Sequence, residues 1–349
     1  MHPALKQLFE AQLSFQQEDR TPISGNVYLG RTEFSPIKTL GMDPVTYTDE
    51  YNRWLDEVWR PDQTRLRNRL LKLWGNDGRY ADLLKVIERD QLVPFIGSGM
   101  SVPSGFPEWS DLLREIQTYT TFPADELEGL LANSQFEEAA AQLAQHAPRQ
   151  LFDERIEHGL RVEDASGIQG PISLLPAVPH LAVITTNLDD VLEHVYTQAE
   201  SDFSHVLAGA DLSRYRTLKD SKSRFLLKIH GDYLHPKSRV LTVEEYNAAY
   251  IQGGPPREEL TLLFRTCSLL FLGCSLGPDR TVQLVQEIAS SDGHIQKHFT
   301  FLKAPNSNPE RIQREHFLTE RGIFPIWYDG SHDACITALL AGLIPTGMA

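Results

Sequence analysis

Cysteine is scarce in this chain: Cys267, Cys274 and Cys335 are the three among 349 residues. Three thiols make neither a disulfide framework nor a four-thiolate zinc site, and a cytoplasmic protein with reduced thiols is the expectation. No apolar run approaches the roughly 18 residues of a membrane span. The first residues lack the basic, apolar and small-residue succession of a secretion signal. Basic residues are also few, with 33 Lys and Arg against 47 Asp and Glu, so the net charge is −14. So acidic a surface repels polyphosphates at long range, and neither direct nucleic-acid binding nor membrane-surface binding is expected. Small anionic ligands remain open, because backbone N–H groups and helix N-termini hold them without entering a charge count. Internal repeats and low-complexity tracts are absent from the sequence as well.

What is present is ordinary for a globular protein: 41% hydrophobic and 23% charged residues. The length fits two domains, or one large α/β domain with an appended segment. Residues 1–80 read as an N-terminal accessory or assembly segment. Its stretch 19–48 is polar and loop-like, carrying Pro22, Gly25, Gly30, Pro36, Gly41 and Pro44. From 49 to 74 the spacing predicts a helix in two pieces broken at Pro61. Arg65, Arg67, Arg69 and Lys72 on the second piece form either a solvated helix face or a phosphate contact.

Residues 81–349 read as one α/β domain. Apolar strands are expected at 92–96, 181–185, 225–229, 268–272, 298–302 and 323–328. Helices are expected at 81–89, 189–199, 243–250, 257–266 and 278–290. A helix over 111–118 takes Ser110 as its N-cap, and Thr242 with Glu245 has capping-box spacing. The region around 125–160 has no strand signal and reads as a helical insertion. Strands alternating with helices predict a Rossmann-like, mostly parallel sheet with helices on both faces, whose ligands bind at the C-terminal strand ends.

Four strand ends carry polar or glycine motifs. Gly97-Ser98-Gly99-Met100-Ser101 follows the first strand, as a close backbone approach to a pyrophosphate or as a tight turn. Thr186-Asn187-Leu188-Asp189 follows the second, where Asn187 and Asp189 either cap the next helix or face a cleft. Lys228-Ile229-His230-Gly231-Asp232 puts an imidazole after a strand and before a glycine, suited to a base near neutral pH. Gly273-Cys274-Ser275 ends a fourth strand; Ser275 can bond a phosphate or ribose, and Cys274 reads as filler. Trp327 and Tyr328 either pack in the core or stack on adenine.

Taken in order, these four motifs resemble the NAD-binding signatures of the sirtuin superfamily, over roughly residues 83–344. The zinc module of protein-deacylating sirtuins has no counterpart among these cysteines. Their Gly-Ile-Pro-Asp-Phe-Arg stretch is replaced by Gly105-Phe106-Pro107-Glu108-Trp109. The pattern is similar to the zinc-less sirtuin-like NADases of bacterial anti-phage defence, which arrest the infected cell by depleting NAD.

That resemblance implies an NAD+ glycohydrolase with Asn187, His230 and Asp189 as catalytic residues. Gly97, Ser98, Gly99, Met100, Ser101, Thr186, Gly273 and Ser275 would bind NAD, and no metal would be required. It further implies a homo-oligomer and a HerA-like ATPase or other defence partner. The alternatives are an NAD-dependent deacylase or ADP-ribosyltransferase, and a non-catalytic NAD or ADP-ribose sensor.

Overall fold

The computed structural model describes residues 2–13, 27–29, 32–161, 167–218, 223–251, 253–277, 280–292 and 296–345. An antiparallel pair, β1 (Val27–Leu29) and β2 (Thr32–Phe34), precedes the main sheet. That sheet comprises β3 (Leu92–Ile96), β4 (Ala182–Thr185), β5 (His205–Ala208), β6 (Phe225–Lys228), β7 (Ser268–Leu272), β8 (His298–Lys303) and β9 (Ile323–Tyr328). Its order is β5-β6-β4-β3-β7-β8-β9 and every pairing is parallel, so the Rossmann-like α/β expectation is met. From β3 the chain adds β4, skips to the edge for β5 and fills in β6 between them, then returns to the other flank of β3 for β7, β8 and β9. The reversal puts the topological switch point between β3 and β7, where open parallel sheets bind their ligands at the C-terminal strand ends.

Alternate residues of the strands enter opposite cores, as the pleat requires. Leu92, Ile96, Val183, Leu226, Leu270 and Leu272 face one buried cluster; Val93, Phe95, Ile184, Leu227, Leu269 and Phe271 face the other. Burial on both sides explains why these strands read as unbroken apolar runs. β5 was not expected from sequence. It is a four-residue edge strand with Val206 exposed, so its apolar pattern is faint.

The N-terminal segment differs from its loop-like reading. Pro36–Gly41 and Pro44–Arg53 are helices in which each proline occupies the first turn, where its missing N–H is no loss. Ser35 caps the first helix and Asp43 the second, accepting from the N–H groups of Val45 and Thr46. Pro61 does not break the chain either. A π-helical turn, Trp54–Trp59, leads into Arg60–Leu71, and the Arg60 N–H reaches back to Leu55 O. The wider turn accommodates a residue that has no N–H to donate. Residues 19–26 and 30–31 of the predicted loop lie outside the described residues.

Leu5, Phe9, Tyr51, Trp54 and Leu70 of this segment share a buried cluster with the sheet. Asn76, fully buried, donates to Leu70 O (2.8 Å) and Trp327 O (2.7 Å) and accepts from Trp327 N (2.9 Å). Trp327 and Tyr328 are core residues. Arg65 and Arg69 are paired with Asp62 and Asp329, as a solvated helix face would be.

The helical insertion is present as Ala124–Ala132, Phe136–Gln145 and Arg149–Leu160, packed with Trp109–Gln117. The last of these begins at Trp109 after Glu108, so Ser110 lies inside it and is not its N-cap. The capping box of Thr242 and Glu245 forms as expected. The insertion's core takes in Leu188, Tyr233 and Leu241 from the loops after β4 and β6, which seats it over the C-terminal edge of the sheet. Arg149 bonds Glu245, and Asp153 bonds buried Arg239, on the segment that follows the β6 loop.

Candidate functional site

The four motif loops all leave C-terminal strand ends, and they interlock. Gly97 N donates to Leu272 O (2.9 Å) and Gly99 N to Gly273 O (3.1 Å). A Cβ at Gly97 would lie 2.6 Å from Gly273 O, and one at Gly273 would lie 2.5 Å from Met100 N. These glycines therefore let the β3 and β7 loops touch backbone to backbone. Ser98 and Ser275 are exposed on the loops, whereas the Met100 side chain is fully buried in the core. Cys274 is half-buried, and its thiol donates to Leu272 O.

The β4 loop is held to the β3 loop by side chains. Thr185 Oγ1 donates to Ile96 O (2.9 Å) and accepts from Asn187 N (2.9 Å), while Thr186 N donates to Ile96 O (3.2 Å). Asn187 is buried, and its Nδ2 donates to Ser101 Oγ at 3.1 Å. Ser101 also hydrogen-bonds the Asp189 carboxylate, so it bridges the two residues singled out in the β4 motif. Asp189 Oδ1 accepts from Val191 N (3.2 Å), a helix-capping contact made alongside the bond to Ser101. Asn187 Oδ1 has no hydrogen-bond partner among the described residues. A buried amide oxygen in that state is the available acceptor of the cluster. Burial pushes the Asp189 carboxyl up to about 6, against the pull of Lys228 and two hydrogen bonds.

His230 stands on the adjoining strand end. Gly231, at φ +85°, turns the chain so tightly that its Cβ position lies 2.1 Å from Ser238 O. His230 O accepts from Val240 N (2.9 Å). The ring is buried: Nε2 is 2.8 Å from the Tyr250 hydroxyl and Nδ1 is 3.3 Å from that of Tyr246. A neutral imidazole has one donor and one acceptor nitrogen, so one phenol donates and the other accepts. Burial drives its pKa down to about 3 and keeps the ring neutral at physiological pH.

Buried His298 and half-buried His180 are likewise lowered, to about 3 and about 4. All three histidines bind a proton more readily in the unfolded chain. Stability present above pH 6.5 is therefore lost as the pH falls. By pH 5 each contributes a loss of about 2 kcal/mol. Asp189, with its raised pKa, acts in the opposite sense between about 4 and 6 and offsets part of one histidine. Chemical denaturation at pH 7 and pH 5 is expected to show a loss of several kcal/mol; equal stabilities would contradict it.

Sequence reading overlooked three contributors. Lys228 opens the third motif but was given no role there, and Tyr246 and Tyr250 belong to no motif, although a lysine closing the apolar run Phe225-Leu226-Leu227 and tyrosines four apart on a capped helix are visible in retrospect. Ser101 was read as a ligand contact, not as the bridge between Asn187 and Asp189.

The fold and the site together define a Rossmann-like α/β protein whose buried polar cluster sits beside the sheet's reversal point. Residues 181–326 match the SIR2-like domain family. The matched stretch includes the Asn187, His230 and Gly273 loops. Three curated relatives carry the name NAD(+) hydrolase ThsA. That of Acinetobacter baumannii (strain 532279) is 22% identical over 254 residues, covering 72% of this chain and 46% of the relative. That of Cytobacillus dafuensis is 26% identical over 254 residues, covering 71% and 47%. That of Bacillus cereus (strain MSX-D12) is 20% identical over 235 residues, covering 67% and 48%. The chain spans about half the length of these relatives. Among the described residues, no helix is long and apolar enough to cross a membrane.

Proposed function

We propose that this chain hydrolyses NAD+ to nicotinamide and ADP-ribose. The observation that carries the reading is the convergence of the Asn187–Ser101–Asp189 chain and neutral His230 at neighbouring strand ends. The names of the ThsA relatives support it.

In the proposed reaction a water oxygen bonds to the ribose C1′ as the bond from C1′ to the nicotinamide nitrogen breaks. Nicotinamide leaves with the bonding pair, and the water's proton passes to His230. The transition state resembles an oxocarbenium ion, so bulk water must be excluded while one water is admitted. Asn187, through Oδ1, orients that water and the nicotinamide face. Asp189 orients Asn187 through Ser101. Gly97, Ser98, Gly99, Met100 by its backbone, Ser101, Thr186, Gly273 and Ser275 contact the remainder of NAD. Residues 1–80 and the helical insertion serve assembly, as a homo-oligomer or with a HerA-like ATPase, in an NAD-depleting anti-phage response.

Chromatography of NAD+ incubated with the purified chain, alone and with such an ATPase, tests the reading. Nicotinamide and ADP-ribose are expected in equal amounts. Deacylated peptide formed in step with nicotinamide would replace hydrolysis by acyl transfer. Binding of NAD+ without turnover in either condition would make the chain a sensor.

A further inference from the structure

Lys228 ends β6 with its side chain wholly inaccessible to solvent. An ammonium there is an expensive way to fill space, since an apolar residue of similar volume is usually neutral or better for stability. Its contacts are specific. Nζ lies 3.3 Å from Leu188 O, 2.8 Å from Asp189 O, 2.9 Å from Glu193 Oε1 and 2.8 Å from Asp232 Oδ2. The two carbonyls belong to the loop bearing Asn187, and Asp232 belongs to the loop bearing His230. Glu193 starts the helix that the β4 loop opens. Direct backbone bonds between these segments are few: Tyr233 N to Leu188 O (3.1 Å) and, just below, Ile229 N to Thr185 O (3.0 Å).

We propose that Lys228 is a positioning residue that clamps the Asn187 and His230 loops into a single rigid unit, fixing the distance between the two groups on which hydrolysis depends. The catalytic half of this inference rests on the function proposed above; the clamp itself does not. Lys228 is not a nucleophile or base. No solvent reaches it, and although burial lowers its pKa, Glu193 and Asp232 outweigh burial and keep it charged. Glu193, Asp232, Asp189, Asp190, Tyr233 and His235 are the ionisable groups of and around this cluster among the described residues.

The test replaces the whole cluster isosterically, with Lys228→Met, Glu193→Gln and Asp232→Asn together, so that no carboxylate is left buried without its cation. Hydrogen–deuterium exchange at residues 186–190 and 229–233 is expected to quicken about tenfold or more, with β8 and β9 unchanged. Unchanged exchange at both loops would overturn the clamp, whatever the activity. In steady-state kinetics, kcat is expected to fall about 10- to 100-fold with KM for NAD+ little altered, as for misplaced but intact catalytic groups. A kcat within twofold of wild type would overturn the positioning role even if the melting temperature dropped. If the wild-type chain releases no nicotinamide, the functional reading fails and exchange alone decides the clamp. If the triple variant does not fold, Asp232→Asn is measured instead. Faster exchange confined to 229–233 supports the clamp, and no change there overturns it.

Discussion

Alanine in place of His230 is expected to lower nicotinamide release by about 10²–10⁴-fold, the range a positioned general base contributes. The reason lies in the ring's surroundings. His230 is buried and held neutral, and a tyrosine hydroxyl on each ring nitrogen determines how the ring is turned; in the proposed reaction its acceptor nitrogen exchanges the phenol for the water whose proton it takes. Removing the imidazole deletes the proton acceptor and leaves the strand beneath it, whose Lys228 and Leu227 pair with β4 and β5, unaltered. His230→Gln is the informative companion, because its amide still offers a donor and an acceptor to the phenols but cannot act as a base. Both variants are expected to keep the far-ultraviolet circular dichroism of the wild type and to bind NAD+ within a few-fold of it. A rate near wild type in either folded variant would remove His230 from the chemistry.

The second large effect concerns the residue after it. Gly231→Ala is expected to destabilise the protein by about 3 kcal/mol or more, because strain and collision act together. At φ +85° an alanine is strained in any surroundings, and here its methyl group would lie 2.1 Å from Ser238 O, 2.5 Å from Ser238 C and 2.8 Å from Arg239 N. All three are backbone atoms, so no side-chain rotation relieves the overlap. Relief requires the turn to open, which pulls Val240 N from His230 O and displaces the imidazole. Gly253 is the control, with the same φ of +85° and no neighbour within 4 Å of its Cβ position. Gly253→Ala is expected to carry the strain alone, about 1 kcal/mol. Denaturant unfolding of both variants separates the two contributions. Equal losses would mean that the close approach to Ser238 has no energetic weight.

Much of the architecture could be read along the chain. Strands β3, β4, β6, β7, β8 and β9 are short apolar runs punctuated by glycine or polar residues, and each lies within a residue or so of its expected place. That the region around 125–160 is helical follows from the absence of strand signals, whereas its division into three helices was not read from the sequence. The N-terminal segment was harder, because proline serves equally as a helix breaker and as a first-turn residue. Ser35-Pro36 and Asp43-Pro44 are N-caps followed by helix starts, and Pro61 is absorbed by a π-helical turn that no local pattern announces. Edge strand β5, with apolar residues on both sides and few of them, left too weak a period to detect.

The order of motifs at strand ends was available from sequence because it depends on neighbours: an apolar run, then a glycine or a polar cluster, then a helix. Who touches whom within the site was not, because the partners are far apart in the chain. Asn187 meets a serine 86 residues before it, and Lys228 reaches back 40 residues to Leu188 O. The same holds for the charge states. A histidine near 3 and an aspartate near 6 are consequences of burial and of the groups folded around them. Local pattern thus placed six of the seven strands of the main sheet, and the motifs at their ends singled out Asn187, Asp189 and His230 as candidates. Only the packing of distant loops made Ser101 a bridge, Lys228 a clamp and His230 a neutral ring, because desolvation and long-range hydrogen bonds exist only once the chain has closed around them.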